Sequence, residues 1–157
     1  MSISYRVLDS ADEPFLLAFI RGLSAETKLK RFLTTQHICS SRFVERLLKA
    51  DCSLAAIEDE PGAEKIIGLG NLQDLGEQTC EIALVVSDNY QRQGIGSHIA
   101  QELANYARTT GYRRIYADVD AKNNQSLSFL KKLVGTGDMS VTNPGEGAML
   151  SVEINFQ

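Results

Sequence analysis

The sequence predicts one α/β domain on a mixed sheet, and three observations predict it. An almost unbroken apolar run, Ile82-Ala-Leu-Val-Val86, feeds a Gln91-Arg-Gln-Gly-Ile-Gly96 turn that opens directly into a helix. That helix carries Ile95, Ile99, Leu103, Tyr106 and Ala107 on one stripe, the 3.6-residue period of an amphipathic surface helix. A second strand-like run, Arg113 to Val119, follows it, and strand-like alternation stands at both ends of the chain. No repeat, linker or low-complexity segment interrupts this order, so the domain is read as residues 1–157.

The elements follow from local signals. Ile3 to Leu8 alternates as a strand, and Ser10-x-x-Glu13 reads as a capping box ahead of Phe15, Leu16, Phe19 and Ile20 at helical spacing. Gly22 ends that helix, Ser24 caps a second reaching about Phe32, and Ser40 or Ser41 caps a third with Phe43, Val44, Leu47 and Leu48. Ser53 to Glu58 and Lys65 to Gln73 flank a Pro-Gly turn, which makes an antiparallel hairpin, and Asp74-Leu-Gly76 reads as the next turn. Thr79 to Ser87 is apolar enough to be a central strand covered on both faces. The amphipathic helix stops near Gly111; after Val119, Asn123 or Asn124 caps another helix with Leu127, Leu130 and Val134 inward. Ala148 to Asn155 reads as the last strand, with Gly137 to Thr142 as its partner.

Composition bounds the function. A chain of 157 residues with 43% hydrophobic content buries about two thirds of its unfolded surface. Three cysteines without Cys-x-x-Cys spacing suggest neither a disulfide framework nor a zinc site, and a reducing cytoplasm fits them best. There is no signal-peptide pattern and no apolar window approaching 18 residues, so no membrane role is expected. The net charge of −4, without a basic block, argues against nucleic acid as a partner and mildly favours cationic amines.

The Gln-x-x-Gly-x-Gly turn is suited to a pyrophosphate. Gly94 and Gly96 lack a Cβ and can take positive φ, so backbone N–H groups from Gln91 to Ser97 can converge on an anion at a helix N-terminus, with Arg92 adding a full charge. An unrelated tight turn after a strand would present the same two glycines. A dinucleotide fingerprint needs a third glycine where Ile99 stands, and there is no Gly-Lys-Ser/Thr for a triphosphate loop.

Strand, Gln/Arg-x-x-Gly-x-Gly, helix, strand and an Asn-initiated helix together resemble the GNAT superfamily of acyl-CoA-dependent N-acyltransferases, from about Thr79 to Gly135. The block Ile115-Tyr-Ala-Asp-Val-Asp-Ala-Lys-Asn-Asn-Gln-Ser-Leu-Ser-Phe-Leu-Lys-Lys-Leu-Val-Gly135 is similar to the family's next strand and its Asn-x-x-x-x-x-Leu helix. Gly22 to Phe32 is more weakly similar to the branch that includes bacterial protein-lysine acetyltransferases. The resemblance implies a mostly antiparallel mixed sheet with helices on both faces, whose strands before and after the phosphate helix splay apart to admit acyl-CoA. It implies acetyl-CoA as co-substrate, no metal, and direct transfer to a primary amine of a small molecule or a protein lysine. Family members pair in several ways, so a homodimer is expected. The cofactor would lie against Gln91, Arg92, Gln93, Gly94, Ile95, Gly96 and Ser97.

Acyl transfer to an amine needs a proton acceptor, because an alkyl amine has a pKa near lysine's, about 10.4. Glu81 adjoins the apolar run, where desolvation would raise its pKa toward the working pH; otherwise it is a strand-end glutamate facing solvent. The resemblance implies Glu81 as general base, backbone N–H groups around Val85 and Val86 polarising the thioester carbonyl, and Asn124 touching pantetheine while also capping its helix. Where many members carry a tyrosine as the acid for the leaving thiolate, this chain has Phe129, Leu130 and Lys131. Tyr116, Ser126 or Ser128 could substitute, or the thiolate could leave unassisted, a thiol pKa of about 8.5 making it a tolerable leaving group; no acid is assigned. The missing tyrosine leaves a second expectation open, a non-catalytic acyl-CoA-binding regulatory module. Cys80 should point away from Glu81 across the strand, and His98 reads as a packing or surface residue. Substrate choice is expected from Gly22 to His37 and from Ser140 to Glu146.

Overall fold

The computed structural model describes residues 2–32, 39–120, 128, 130–131, 138–142 and 149–156. The alternating segments become strands β1 (Ser2–Val7), β2 (Cys52–Glu60), β3 (Ala63–Gly76), β4 (Thr79–Val86), β5 (Arg114–Asp120), β6 (Asp138–Thr142) and β7 (Met149–Asn155). They form one sheet in the order β1-β2-β3-β4-β5-β7-β6. Every neighbouring pair is antiparallel except β4 and β5, which run parallel. Parallel strands need a long crossover, and α4 (Ile95–Thr110) supplies it.

The β4–β5 ladder holds only three register pairs, Thr79 with Arg114, Cys80 with Ile115 and Glu81 with Tyr116. On its other side β4 stays paired with β3 as far as Val86. The two central strands therefore part after Glu81 and Tyr116, which is the expected splay.

Helices cover both faces. On one, α4 packs Ile95, Ile99 and Leu103 against Leu54, Ala56, Leu72 and Ile82. It reaches β3 closely because that strand offers no side chain there: a Cβ on Gly70 would lie 2.4 Å from Ile99 Cγ2 and 2.6 Å from Leu103 Cδ1. On the other face, α1 (Glu13–Gly22) and α3 (Ser41–Leu48) pack Leu16, Phe19, Ile20 and Val44 on Ala55, Ile57, Leu69 and Val85. Opposite Ala56 and Ile57, β3 carries a bulge at Ile67, which faces the α4 core as the neighbouring Gly68 does. Between α1 and α3, α2 (Ala25–Phe32) lies along β4.

Two local expectations are corrected. The capping box belongs to Asp9 and Asp12 around a 3₁₀ turn, Ser10–Asp12, rather than to Ser10 and Glu13. A carboxylate at Asp12 also forks with Arg6, at 2.9 and 2.8 Å, so the box is tied to β1 as well. The turn after β3 is Glu77-Gln78, both at positive φ, because Gly76 still pairs with Thr79. Ser24 and Ser40 cap α2 and α3 as expected, through Thr27 N at 3.2 Å and Phe43 N at 3.2 Å. The helix expected after Asn123 or Asn124 lies largely outside the described residues, although Ser128, Leu130 and Lys131 are helical.

Candidate active site

The turn after β4 is braced from below, and its backbone is left open toward the splay. A 3₁₀ turn, Asp88–Tyr90, leads out of the strand, and the Tyr90 hydroxyl donates to the buried Glu58 carboxylate on β2. Gln91 Nε2 donates to the Val86 carbonyl at 3.0 Å and Gln93 Nε2 to the Asn89 carbonyl at 3.4 Å. Arg92 takes positive φ, 63°, and Gly94 takes 85° as the residue before α4. The first helical bond runs from His98 N to Gly94 O at 3.0 Å, so the N–H groups of Ile95, Gly96 and Ser97 have no acceptor within the helix. Among the described residues no side chain caps this end of the helix. This is the cradle an anion needs, and the residues fit a pyrophosphate.

Only one of the two glycines uses its conformational freedom. Gly94 is left-handed; Gly96 is ordinary helix, and a Cβ there would meet Leu84 Cδ1 and Val86 Cγ2, each at 3.5 Å. Positive φ at Gly96, expected from sequence, is not found. Its bare Cα instead keeps the space between the helix start and β4 clear.

Glu81 sits at the vertex of the splay, with Tyr116 as its register partner. Its side chain is exposed, so the burial suggested by its apolar neighbours is absent, while Thr79 and Val85 on the same face of β4 are buried. Cys80 points the other way, fully buried in the α4 core, and burial pushes its thiol up to about 12. Val85 is buried on the face of Glu81 and Val86 lies beside the loop. Asn124 falls outside the described residues. His98 is exposed, stacked on Tyr5 at 3.9 Å and bonded to Glu102 at 2.7 Å, away from Glu81 on the α4 side.

Beside Glu81 the sheet and the helices enclose a pocket of about 200 Å³, lined by Arg31, Arg46, Asn71, Gln73, Glu81 and Ala83 among others. Cross-strand register explains the gathering: Ser53 pairs with Asn71 and Asn71 with Ala83, while Gln73 pairs with Glu81, so all five side chains share one face. A relay of buried polar groups fixes the floor. Ser53 Oγ donates to the Leu47 carbonyl at 2.8 Å, Asn71 Nδ2 donates to Ser53 Oγ at 2.9 Å, and Arg31 Nη2 donates to Asn71 Oδ1 at 2.9 Å. Burial lowers the Arg31 guanidinium to about 10, against the pull of Glu81, so it stays charged at neutral pH.

Sequence reasoning did not single out Arg31, Asn71, Asp88 or Tyr90. Asn71 had a signal, a polar residue inside the apolar run Ile66 to Leu72. Asp88 had none, yet it accepts from Ser24 N at 3.1 Å, Ser24 Oγ at 2.7 Å and Thr27 Oγ1 at 2.7 Å, tying the start of α2 to the phosphate turn.

A splayed β4–β5 pair beside an uncapped helix N-terminus matches a known architecture, and the Acetyltransferase (GNAT) family model matches residues 17–136. The chain belongs to the GNAT family. An acetyltransferase of Pseudomonas aeruginosa is 28% identical to this GNAT chain in an alignment of 114 residues that covers 69% of this chain and 61% of the relative. The chain thus matches about three fifths of that relative's length. The GNAT domain of S. lividans PAT superposes with a TM-score of 0.77 at 23% identity, over 97% of this chain and 89% of that one. PaiA N-acetyltransferase from Thermoplasma acidophilum, in complex with coenzyme A, gives 0.73 at 19%, over 99% and 100%. At these identities the two structures establish the GNAT fold.

Proposed function

We propose that this GNAT chain moves an acetyl group from acetyl-CoA directly to a primary amine of a small molecule or a protein. The observation that carries the proposal is the end of the β4–β5 ladder at Glu81 and Tyr116, which opens the sheet beside the free N–H groups of α4. The coenzyme A bound to the similar Thermoplasma protein supports the same cofactor here.

Residues Gln91 to Ser97 hold the pyrophosphate through backbone N–H groups and Arg92. Acetyl-CoA, when bound, supplies an acyl group activated as a thioester. Backbone N–H groups around Val85 and Val86 polarise its carbonyl, a contribution worth about 2.7 to 4 kcal/mol where such donors have been removed. Glu81 takes the proton of the attacking amine, directly or through water, as the nitrogen–carbon bond forms and the carbon–sulfur bond breaks. Tyr116, the register partner of Glu81, is the candidate to return a proton to the leaving sulfur. Asn124 contacts the pantetheine arm.

Thiol release is the test. Glu81→Gln should lose about 10²- to 10⁴-fold in turnover, the range for a positioned general base, and keep its affinity for acetyl-CoA. Unchanged turnover would remove Glu81 from the chemistry. A chain that binds acetyl-CoA and releases no thiol with any amine would instead be a regulatory acyl-CoA-binding module.

A further inference from the structure

The pocket beside Glu81 has a charge balance that an isolated amine does not satisfy. Among the described residues, two guanidiniums, Arg31 and Arg46, line it against one carboxylate, Glu81. Arg31 forms no ion pair among the described residues, its side-chain acceptor there is the neutral Asn71 amide, and its Nε is buried without a partner. A largely buried cation whose contacts among the described residues are the Asn71 amide and the Phe32 ring, 4.7 Å away, with no carboxylate bonded to it, is costly unless an anion completes it. The Asn71–Ser53–Leu47 relay holds this one in place, facing a pocket that ends at the proposed base.

We propose that the acceptor is a small zwitterion, a primary amine and a carboxylate on one molecule, with the amine at Glu81 and the carboxylate on Arg31, assisted by Arg46. This deepens the acetyl-transfer reading and rests on it. Arginine suits the task because its planar fork matches a carboxylate bidentately, and because burial does not neutralise it near pH 7. Size agrees: at about 30 Å³ per water in the liquid, a 200 Å³ pocket holds the equivalent of six or seven waters, the scale of a small amino acid. A polyamine would bring a second cation toward two guanidiniums.

The test uses glycine, β-alanine, 4-aminobutanoate and 6-aminohexanoate, each against its carboxamide, as acceptors in a thiol-release assay. The N-acetyl derivative of each is also titrated onto the protein loaded with CoA, which reads anion recognition without requiring transfer. In the wild type, at least one acid should exceed its carboxamide tenfold or more in kcat/KM, and its N-acetyl form should bind where the N-acetyl carboxamide does not. Arg31→Gln should bring both ratios near one, through loss of the acid's kcat/KM and of binding of its N-acetyl form. Arg31→Lys, which keeps the charge and loses the fork, should fall between them, and an unchanged melting temperature in either variant shows an intact fold. Ratios near one in the wild type, or ratios untouched by both variants, overturn the inference and leave acetyl transfer standing. Carboxylate-selective binding without thiol release from any acid would uphold anion recognition at Arg31 and overturn the transfer reading.

Discussion

Gly94 and Gly96, two residues apart, make different demands on the chain. Gly94 stands at φ 85°, a conformation that costs an L-residue about 1–2 kcal/mol, so Gly94→Ala should lower unfolding free energy by about that much in urea titration. Gly96 is helical, and its added methyl would make only ordinary 3.5 Å contacts. Gly96→Ala should therefore leave stability unchanged or raise it by up to about 1 kcal/mol, while weakening acetyl-CoA binding because the methyl narrows the gap beside Leu84 and Val86. Loss of stability with unchanged binding would reverse the assignment. Sequence exposes the glycine pair and not this division of labour, because φ depends on where the helix starts. It likewise marks Glu81 as unusual and leaves open whether the side chain is buried or faces solvent, which depends on how the helices pack over β4.

At the scale of elements, α2 and the phosphate turn are held together by Asp88, and the Asp9–Asp12 box is held to β1 by Arg6. Both carboxyls titrate below the ordinary aspartate range, Asp88 chiefly through the Ser24 hydroxyl and Asp12 chiefly through the Arg6 fork. A folded-state value below the unfolded one, about 3.9, means a contribution complete above that pH and lost as the pH falls through the lower folded value. Stability should decline below about pH 4, and Asp88→Asn should flatten part of that decline in urea titrations between pH 6 and pH 2. An unchanged profile would show that the tether carries no stability. The seat of α4 is testable too. Gly70→Ala places a Cβ 2.4 Å from Ile99 Cγ2, and overpacking of this kind costs about 1–3 kcal/mol, to be read as a lowered denaturation midpoint.

Across the whole molecule, the order of elements was legible from periodicity and capping residues: the Pro61-Gly62 hairpin, the Ser24 and Ser40 caps, and the Gly111 stop all fall where local chemistry puts them. What local chemistry does not encode is long-range register. The gathering of Ser53, Asn71 and Glu81 on one face, and the Arg31 guanidinium above them, arises from pairings between strands and from a helix far away in sequence. The splay itself was implied by family resemblance and is visible as a ladder of three pairs. That opening and the α4 N-terminus are the basis for the proposed use of acetyl-CoA. Isothermal titration with acetyl-CoA, beside NAD as comparator, tests this most directly. Saturable binding of acetyl-CoA and none of NAD, abolished by Gly94→Asp, is the predicted result; no heat with acetyl-CoA, or equal binding of NAD, would contradict it.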